Sequence, residues 1–143
     1  MIDFTALKQF METGIPFNRV LGIKLVTLEK GHARLEVPFR DELVGDPFRP
    51  ALHGGVLSAL ADTAGGAAVW ASVDDLRPRV STIDLRMDYL RPARLELVVA
   101  DARVVRMGNR VGVVDVRLFH LANEDEAFAT CKAVYNVSPA KKV

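Results

Sequence analysis

Leu52-His53-Gly54-Gly55, with Asp62 nine residues after the histidine, is the stretch of this sequence whose residue types can do chemistry. Asp62 is the only charged residue between Gly54 and Val73. An isolated carboxylate in an apolar stretch is costly unless it is paired, hydrogen-bonded or open to a cavity. Glycines at a helix start let a ligand oxygen approach the backbone. The first turn also offers unpaired N–H groups and the positive end of the helix dipole. A carboxylate combined with such an oxyanion-stabilising site is the equipment of acyl transfer. On a helix Gly55 and Asp62, seven residues apart, project along nearly the same face, and so do Ser58 and Asp62, four apart. Structural roles compete with this reading. Gly54-Gly55 also suits a tight helix entry, His53 a cap, and Asp62 a bond to a neighbouring strand or subunit.

The remaining inventory is small. His32 falls in a turn, His120 at a strand end, and Cys131 stands alone. No pair of these residues has metal-ligand spacing, so no metal site is expected. A Gly-x-Ser-x-Gly elbow and a P-loop are both missing, which removes the signatures of serine hydrolases and NTPases, and no cofactor is implied.

These residues need elements to position them. Phe4, Leu7, Phe10 and Met11 have helical spacing and predict a short amphipathic helix over about 4–13, ended by Gly14 and Pro16. Residues 23–25 and 33–37 alternate around Glu29-Lys30-Gly31-His32, a hairpin signal. A polar loop follows, with Gly45-Asp46-Pro47 and Arg49-Pro50. Residues 54–72 are apolar around most of a helical circumference, which predicts a helix buried on most sides. The second half reads as four strands, near 83–89, 94–106, 110–120 and 127–137, joined by short turns and therefore antiparallel. A long helix wrapped by a curved antiparallel sheet accounts for all of this. The class is α+β, in the order α-β-β-α-β-β-β-β. No repeat or linker divides residues 1–143, so a single domain is expected.

Composition narrows the partners. Nineteen basic and eighteen acidic residues give a net charge of +1, which argues for neither nucleic acid nor an anionic membrane. The amino terminus has no basic region followed by a long apolar one, and Asp62 interrupts the only stretch of membrane-spanning length. A soluble, cytoplasmic protein is expected, consistent with its lone cysteine.

The span Leu52-His53-Gly54-Gly55-Val56 through Leu60-Ala61-Asp62, followed by Asp84-Leu85-Arg86-Met87-Asp88-Tyr89-Leu90-Arg91-Pro92-Ala93, resembles the hotdog-fold thioesterases of the phenylacetic-acid-degradation (PaaI) type. The similarity extends over about residues 17–137. It implies hydrolysis of acyl-coenzyme A thioesters, with Asp62 as general base or nucleophile. The Gly54 N–H would polarise the thioester carbonyl, and His53 would shape the site. The resemblance further implies substrate contacts around Gly55, Ser58, Ser81 and Thr82, and coenzyme A phosphates near Arg91, Arg106 and Arg110. It implies at least a homodimer, usually a homotetramer, with each active site built from two subunits. One departure stands out. The family often has an asparagine six or seven residues before the histidine, where this chain has Asp46, which either substitutes for it or pairs with Asp62. A non-catalytic acyl-CoA-binding module and a hotdog hydratase or dehydratase are the alternative functions.

Overall fold

The apolar circumference of the central helix requires a cover on most sides, and the computed structural model supplies one. It describes residues 3–74 and 78–139. Met1 and Ile2, part of the amino-terminal reading, and the two ends of the expected 1–143 domain lie outside them. The central helix, α3, runs Gly54–Ala71 and buries Val56, Leu57, Leu60, Ala61, Ala64, Ala68 and Val69. Around it bends one six-stranded antiparallel sheet in the order β1-β2-β6-β7-β8-β5. Its strands are β1 (Lys24–Glu29), β2 (His32–Val37), β5 (Arg79–Tyr89), β6 (Val98–Met107), β7 (Val111–Phe119) and β8 (Ala129–Ser138). The expected α+β arrangement is therefore what forms.

Each strand turns alternate side chains onto the helix. In β8, Ala129, Cys131, Ala133, Tyr135 and Val137 are buried while the residues between them are not. Bulges between Leu25 and Thr27, Thr82 and Asp84, and Val104 and Arg106 bend the sheet by adding local twist. Small residues set how closely helix and sheet approach. A Cβ on Gly65 would stand 2.3 Å from the Tyr135 hydroxyl, and one on Gly112 would meet the Val69 side chain at 2.8 Å.

Several boundaries differ from expectation. The amino-terminal helix is not continuous over 4–13. It is α1 (Phe4–Gln9) followed by a π-helical turn, Phe10–Gly14. Pro16, expected to end it, opens a further helix, α2 (Pro16–Leu21), because proline suits the first helical position. Gly22 closes α2 at φ 74°, a left-handed conformation that favours glycine. The polar loop contains a small ladder, β3 (Val44–Asp46) with β4 (Ala51–Leu52). The strand expected from residue 94 begins at Val98, since a tight turn with the Glu96 N–H bonded to the Arg94 carbonyl precedes it.

Two histidines are structural ties. His32 opens β2 rather than sitting in the turn, and its Nε2 lies 2.9 Å from Asp101 Oδ2. Buried His120 accepts the Arg94 N–H on Nε2 at 3.0 Å, so its Nδ1–H donates to the Leu97 carbonyl, also 3.0 Å away. Among the described residues no helix is long and apolar enough to cross a membrane.

Candidate active site

Asp62 lies on the side of α3 that faces β5 and β8. The Thr82 hydroxyl donates to its Oδ1 at 2.7 Å. The Tyr135 hydroxyl donates to the Asp62 backbone carbonyl at 2.8 Å and approaches Oδ1 at 3.3 Å. One carboxylate oxygen is thus fixed from two strands, while Oδ2 accepts nothing among the described residues. Thr82 holds this place because β5 bulges there and shares register with Tyr135. Gly65, on α3, leaves room for the Tyr135 ring. Burial first, and then the Asp62 charge, pushes the Tyr135 phenol far above its ordinary 10, so it stays a neutral donor. Burial and the same carboxylate raise the Cys131 thiol to about 11, which leaves it unreactive at neutral pH.

Asp62 and Thr82, with Ser81, border a cavity of about 540 Å³. Its other walls are mostly apolar and include Phe10, Met11 and Trp70, with Thr63 and Arg79 as further polar members. An ionisable carboxylate at the edge of an apolar cavity of this size matches the general form of a small-molecule site.

The start of α3 is built separately. His53 has extended backbone (φ −63°, ψ 130°), and its Nδ1 accepts the Gly55 N–H at 2.8 Å. The capping role weighed for His53 is therefore real, and it explains Gly55, where a Cβ would stand 2.8 Å from that same Nδ1. The Gly54 N–H has no acceptor among the described residues. Tyr89 packs over this turn. Its hydroxyl donates to the Gly54 carbonyl at 3.0 Å and bonds with Ser58 Oγ. A Cβ on Gly54 would come within 3.3 Å of the Tyr89 ring.

Within one chain the expected site is divided. The eight residues from Gly54 to Asp62 correspond to about 12 Å along the helix, too far for both to touch one carbonyl group. Asp46 does not pair with Asp62. Its Oδ1 accepts the Phe48 and Arg49 N–H groups at 2.9 and 3.0 Å, closing its own turn. Those bonds, the one from Arg49 first, hold its carboxyl below the ordinary 3.8. The three arginines are also separated. Arg106 and Arg110 flank the β6–β7 turn near the Arg79 end of β5, and Arg91 follows Tyr89 at the other end. The length of β5 places these ends about 30 Å apart. Arg91 Nη1 lies 4.0 Å from Glu126 Oε2.

Tyr89 and Tyr135 were not singled out by the sequence reading. Tyr135 gave a partial signal, as an aromatic in a strand opposite a helix carrying Gly65-Gly66. Its bond to residue 62 depends on β8 lying beside β5, a crossover that strand spacing does not reveal.

The sequence profile of the thioesterase superfamily matches residues 50–127, a span that holds Asp62, Thr82 and Tyr89. The medium/long-chain acyl-CoA thioesterase YigI of Escherichia coli (strain K12) is 39% identical over 136 residues, covering 86% of each chain. A crystal structure from Shewanella oneidensis, of a protein related to the thioesterase superfamily, superposes with a TM-score of 0.81 at 28% identity, covering 94% of both chains. A Haemophilus influenzae thioesterase shares the fold with a TM-score of 0.85 over 99% of this chain and 94% of its own, at 22% identity. The match takes in the helix start, the acid and the strand that holds it, and the similarity to relatives runs through most of both sequences: this chain belongs to the thioesterase superfamily.

Proposed function

We propose that this protein hydrolyses acyl-coenzyme A thioesters to the free acid and coenzyme A, with Asp62 as the catalytic carboxylate. The observation that carries the reading is the Asp62 carboxylate, pinned through Oδ1 by Thr82 at the mouth of an apolar cavity, with Oδ2 open. The name of the Escherichia coli relative supports the same substrate class.

Asp62 Oδ2 takes a proton from a water as the water oxygen attacks the thioester carbon. A backbone N–H at a helix start stabilises the resulting oxyanion, for which Gly54 is the donor. The carbon–sulfur bond then breaks, and the coenzyme A thiolate takes up the proton held by Asp62. The acid carries one oxygen from water. Direct attack by Asp62 would instead form an anhydride, and its hydrolysis in ¹⁸O-water would label the carboxylate.

The 12 Å between Gly54 and Asp62 along one helix means that the N–H acting beside Asp62 belongs to a second copy of the chain. Edge strand β5 supports such pairing. It is eleven residues long, and Ile83 in it is 58% exposed, a combination that soluble proteins usually cover. The site therefore forms between two copies in at least a homodimer. Arg106 and Arg110, exposed near the Thr82 end of the sheet, are phosphate contacts of the coenzyme from one copy, and Arg91, which follows the Tyr89 that packs on Gly54, is the candidate contributed by the second copy.

Thiol release over a panel of acyl-CoA substrates tests this function. Turnover by the wild-type protein and its loss in Asp62→Asn are the expected outcome. Binding of acyl-CoA without turnover would make the chain a non-catalytic module. Hydration of a crotonyl thioester would make it a hydratase.

A further inference from the structure

The cavity beside Asp62 continues along α3 toward its carboxyl-terminal end, and two aromatic side chains on different elements are among its lining. Asp62, Gly66 and Trp70 succeed one another at intervals of four residues, so the acid and the tryptophan stand about 12 Å apart along the helix. Between them Gly66 and Ala67 present almost no side chain, and the space above belongs to the cavity. Trp70 is the last α3 residue to line the cavity, and Phe10, on the π-helical turn, lines it from another element. Turns of this kind are uncommon and recur at functional sites.

Three hydrogen bonds and a glycine hold that turn in place. The Ile15 N–H donates to the Phe10 carbonyl at 3.2 Å, and Asn18 Nδ2 donates to the Met11 carbonyl at 2.8 Å from a buried position. Glu12 Oε1 accepts the Leu25 N–H at 2.9 Å, which ties the turn to β1. Gly14 leaves space for the Phe10 ring, since a Cβ there would stand 2.7 Å from it. The wide turn thus carries Phe10 and Met11 over the cavity, where an uninterrupted α-helix would rotate them differently.

We propose that Phe10 and Trp70 form the end wall of the acyl-chain pocket and limit the substrate to straight aliphatic acyl groups of medium length. This inference rests on the thioesterase reading for what enters the pocket, and on the cavity alone for where the chain ends. With carbon–carbon bonds of about 1.5 Å, a zigzag chain crossing from Asp62 to Trp70 has on the order of nine carbons. A shorter acyl group leaves the apolar far end unfilled. A longer one must displace Phe10, which is 57% exposed and therefore the side of the wall able to move.

Trp70 is the only tryptophan of the chain, so its fluorescence reads the end wall directly. Emission is followed while the intact protein is titrated with 1-butanol, 1-decanol, S-butyl-CoA and S-decyl-CoA. In parallel, kcat/KM is measured for butyryl-, octanoyl-, decanoyl- and palmitoyl-CoA. The decyl compounds should shift Trp70 emission and the butyl compounds should not, and kcat/KM should peak at octanoyl or decanoyl. Gly66→Leu, whose first side-chain carbon meets only ordinary contacts from Tyr135 at 3.5 Å, should lower the decanoyl-to-butyryl ratio of kcat/KM by at least about tenfold. Trp70→Ala and Phe10→Ala should move the optimum toward palmitoyl. Equal responses to butyl and decyl compounds, no response to either, or a ratio unmoved by all three variants would overturn the wall. A Trp70 response to 1-decanol without turnover of any thioester would leave the wall standing and refute the hydrolase.

Discussion

The first turn of α3 and its middle, two turns later, are made of the same helix yet prepared for opposite charges. At the first turn everything is backbone. Gly54 carries no side chain, His53 caps its neighbour through Nδ1, and Tyr89 fixes the Gly54 carbonyl, leaving the Gly54 N–H without an acceptor among the described residues. Near the middle everything is side chain. A carboxylate is held by hydroxyls from β5 and β8 at the border of an apolar cavity. The dipole favours a negative ligand at the first place, and burial makes a negative charge dear at the second unless donors hold it. One helix carries both halves of the proposed site but cannot bring them together, because its own rise keeps them apart. In the proposed dimer a second copy supplies the missing half.

Removing the charge at the middle should have the largest effect. Asp62→Asn keeps the size and most hydrogen bonds of the residue, and kcat should fall by about 10²–10⁴ with little change in thermal unfolding. Wild-type turnover by this variant would end the assignment. Unfolding would make Asp62 a structural partner of Thr82 and Tyr135 only.

Gly54→Pro tests the first turn with comparable force. Proline suits the first helical position, and His53 already has the extended backbone that a following proline prefers. The change deletes the N–H, and kcat should fall about 10²–10³-fold. Mixing the two inactive variants through unfolding and refolding should restore part of the activity, since every mixed dimer carries both defects in one site and leaves the other intact. No recovery in dimers shown to be mixed would place the complete site within one chain.

A third substitution probes the support of the carboxylate. Gly65→Ala forces a Cβ onto the Tyr135 hydroxyl, and overpacking of this kind costs about 1–3 kcal/mol. Chemical denaturation should show that loss, and kcat should decline with it because Tyr135 carries the backbone of residue 62. Equivalent strain at the first turn, in Gly54→Ala against Tyr89, should be milder, since the contact there is 3.3 Å.

Coenzyme contacts should act on binding. Alanine at both Arg106 and Arg110 should raise KM for acyl-CoA severalfold and spare a short thioester without the nucleotide. Equal losses on the two substrates would make these arginines structural.

The smallest effect expected is one of pH on the π-turn. Burial raises the Glu12 carboxyl, but Lys8, the Leu25 N–H and Lys24 together outweigh it and hold the group below its ordinary 4.5. A carboxyl lowered on folding stabilises the protein above its unfolded value, and the contribution is lost as pH falls through the folded one. Glu12→Gln should therefore lower thermal stability at pH 7 and bring the variant and wild type together in acid. A difference that persisted unchanged below pH 3 would show that the carboxylate charge is irrelevant to the turn.

Much of this molecule was legible in its sequence. The unbroken apolar circumference of 54–72 could only be a helix covered on most sides, and valine-rich alternation with short turns could only be antiparallel strands. The isolation of Asp62 marked it before any neighbour was known, and the His53-Gly54-Gly55 run marked the helix start. Periodicity and charge are local quantities, and they survive in a one-dimensional record. Partners are not local. That Thr82 and Tyr135 share the Asp62 carboxylate follows from β8 inserting between β7 and β5, a choice made by the packing of the whole sheet. That Asp46 spends its carboxylate on its own turn, that Arg91 stands far from Arg106, and that Phe10 bends over a cavity on a π-turn are equally consequences of three-dimensional closure. The sequence determined which residue carries the negative charge and which turn can receive one. Only the tertiary structure decided what holds each of them, because hydrogen bonds act over about 3 Å in space, wherever the chain brings their ends together.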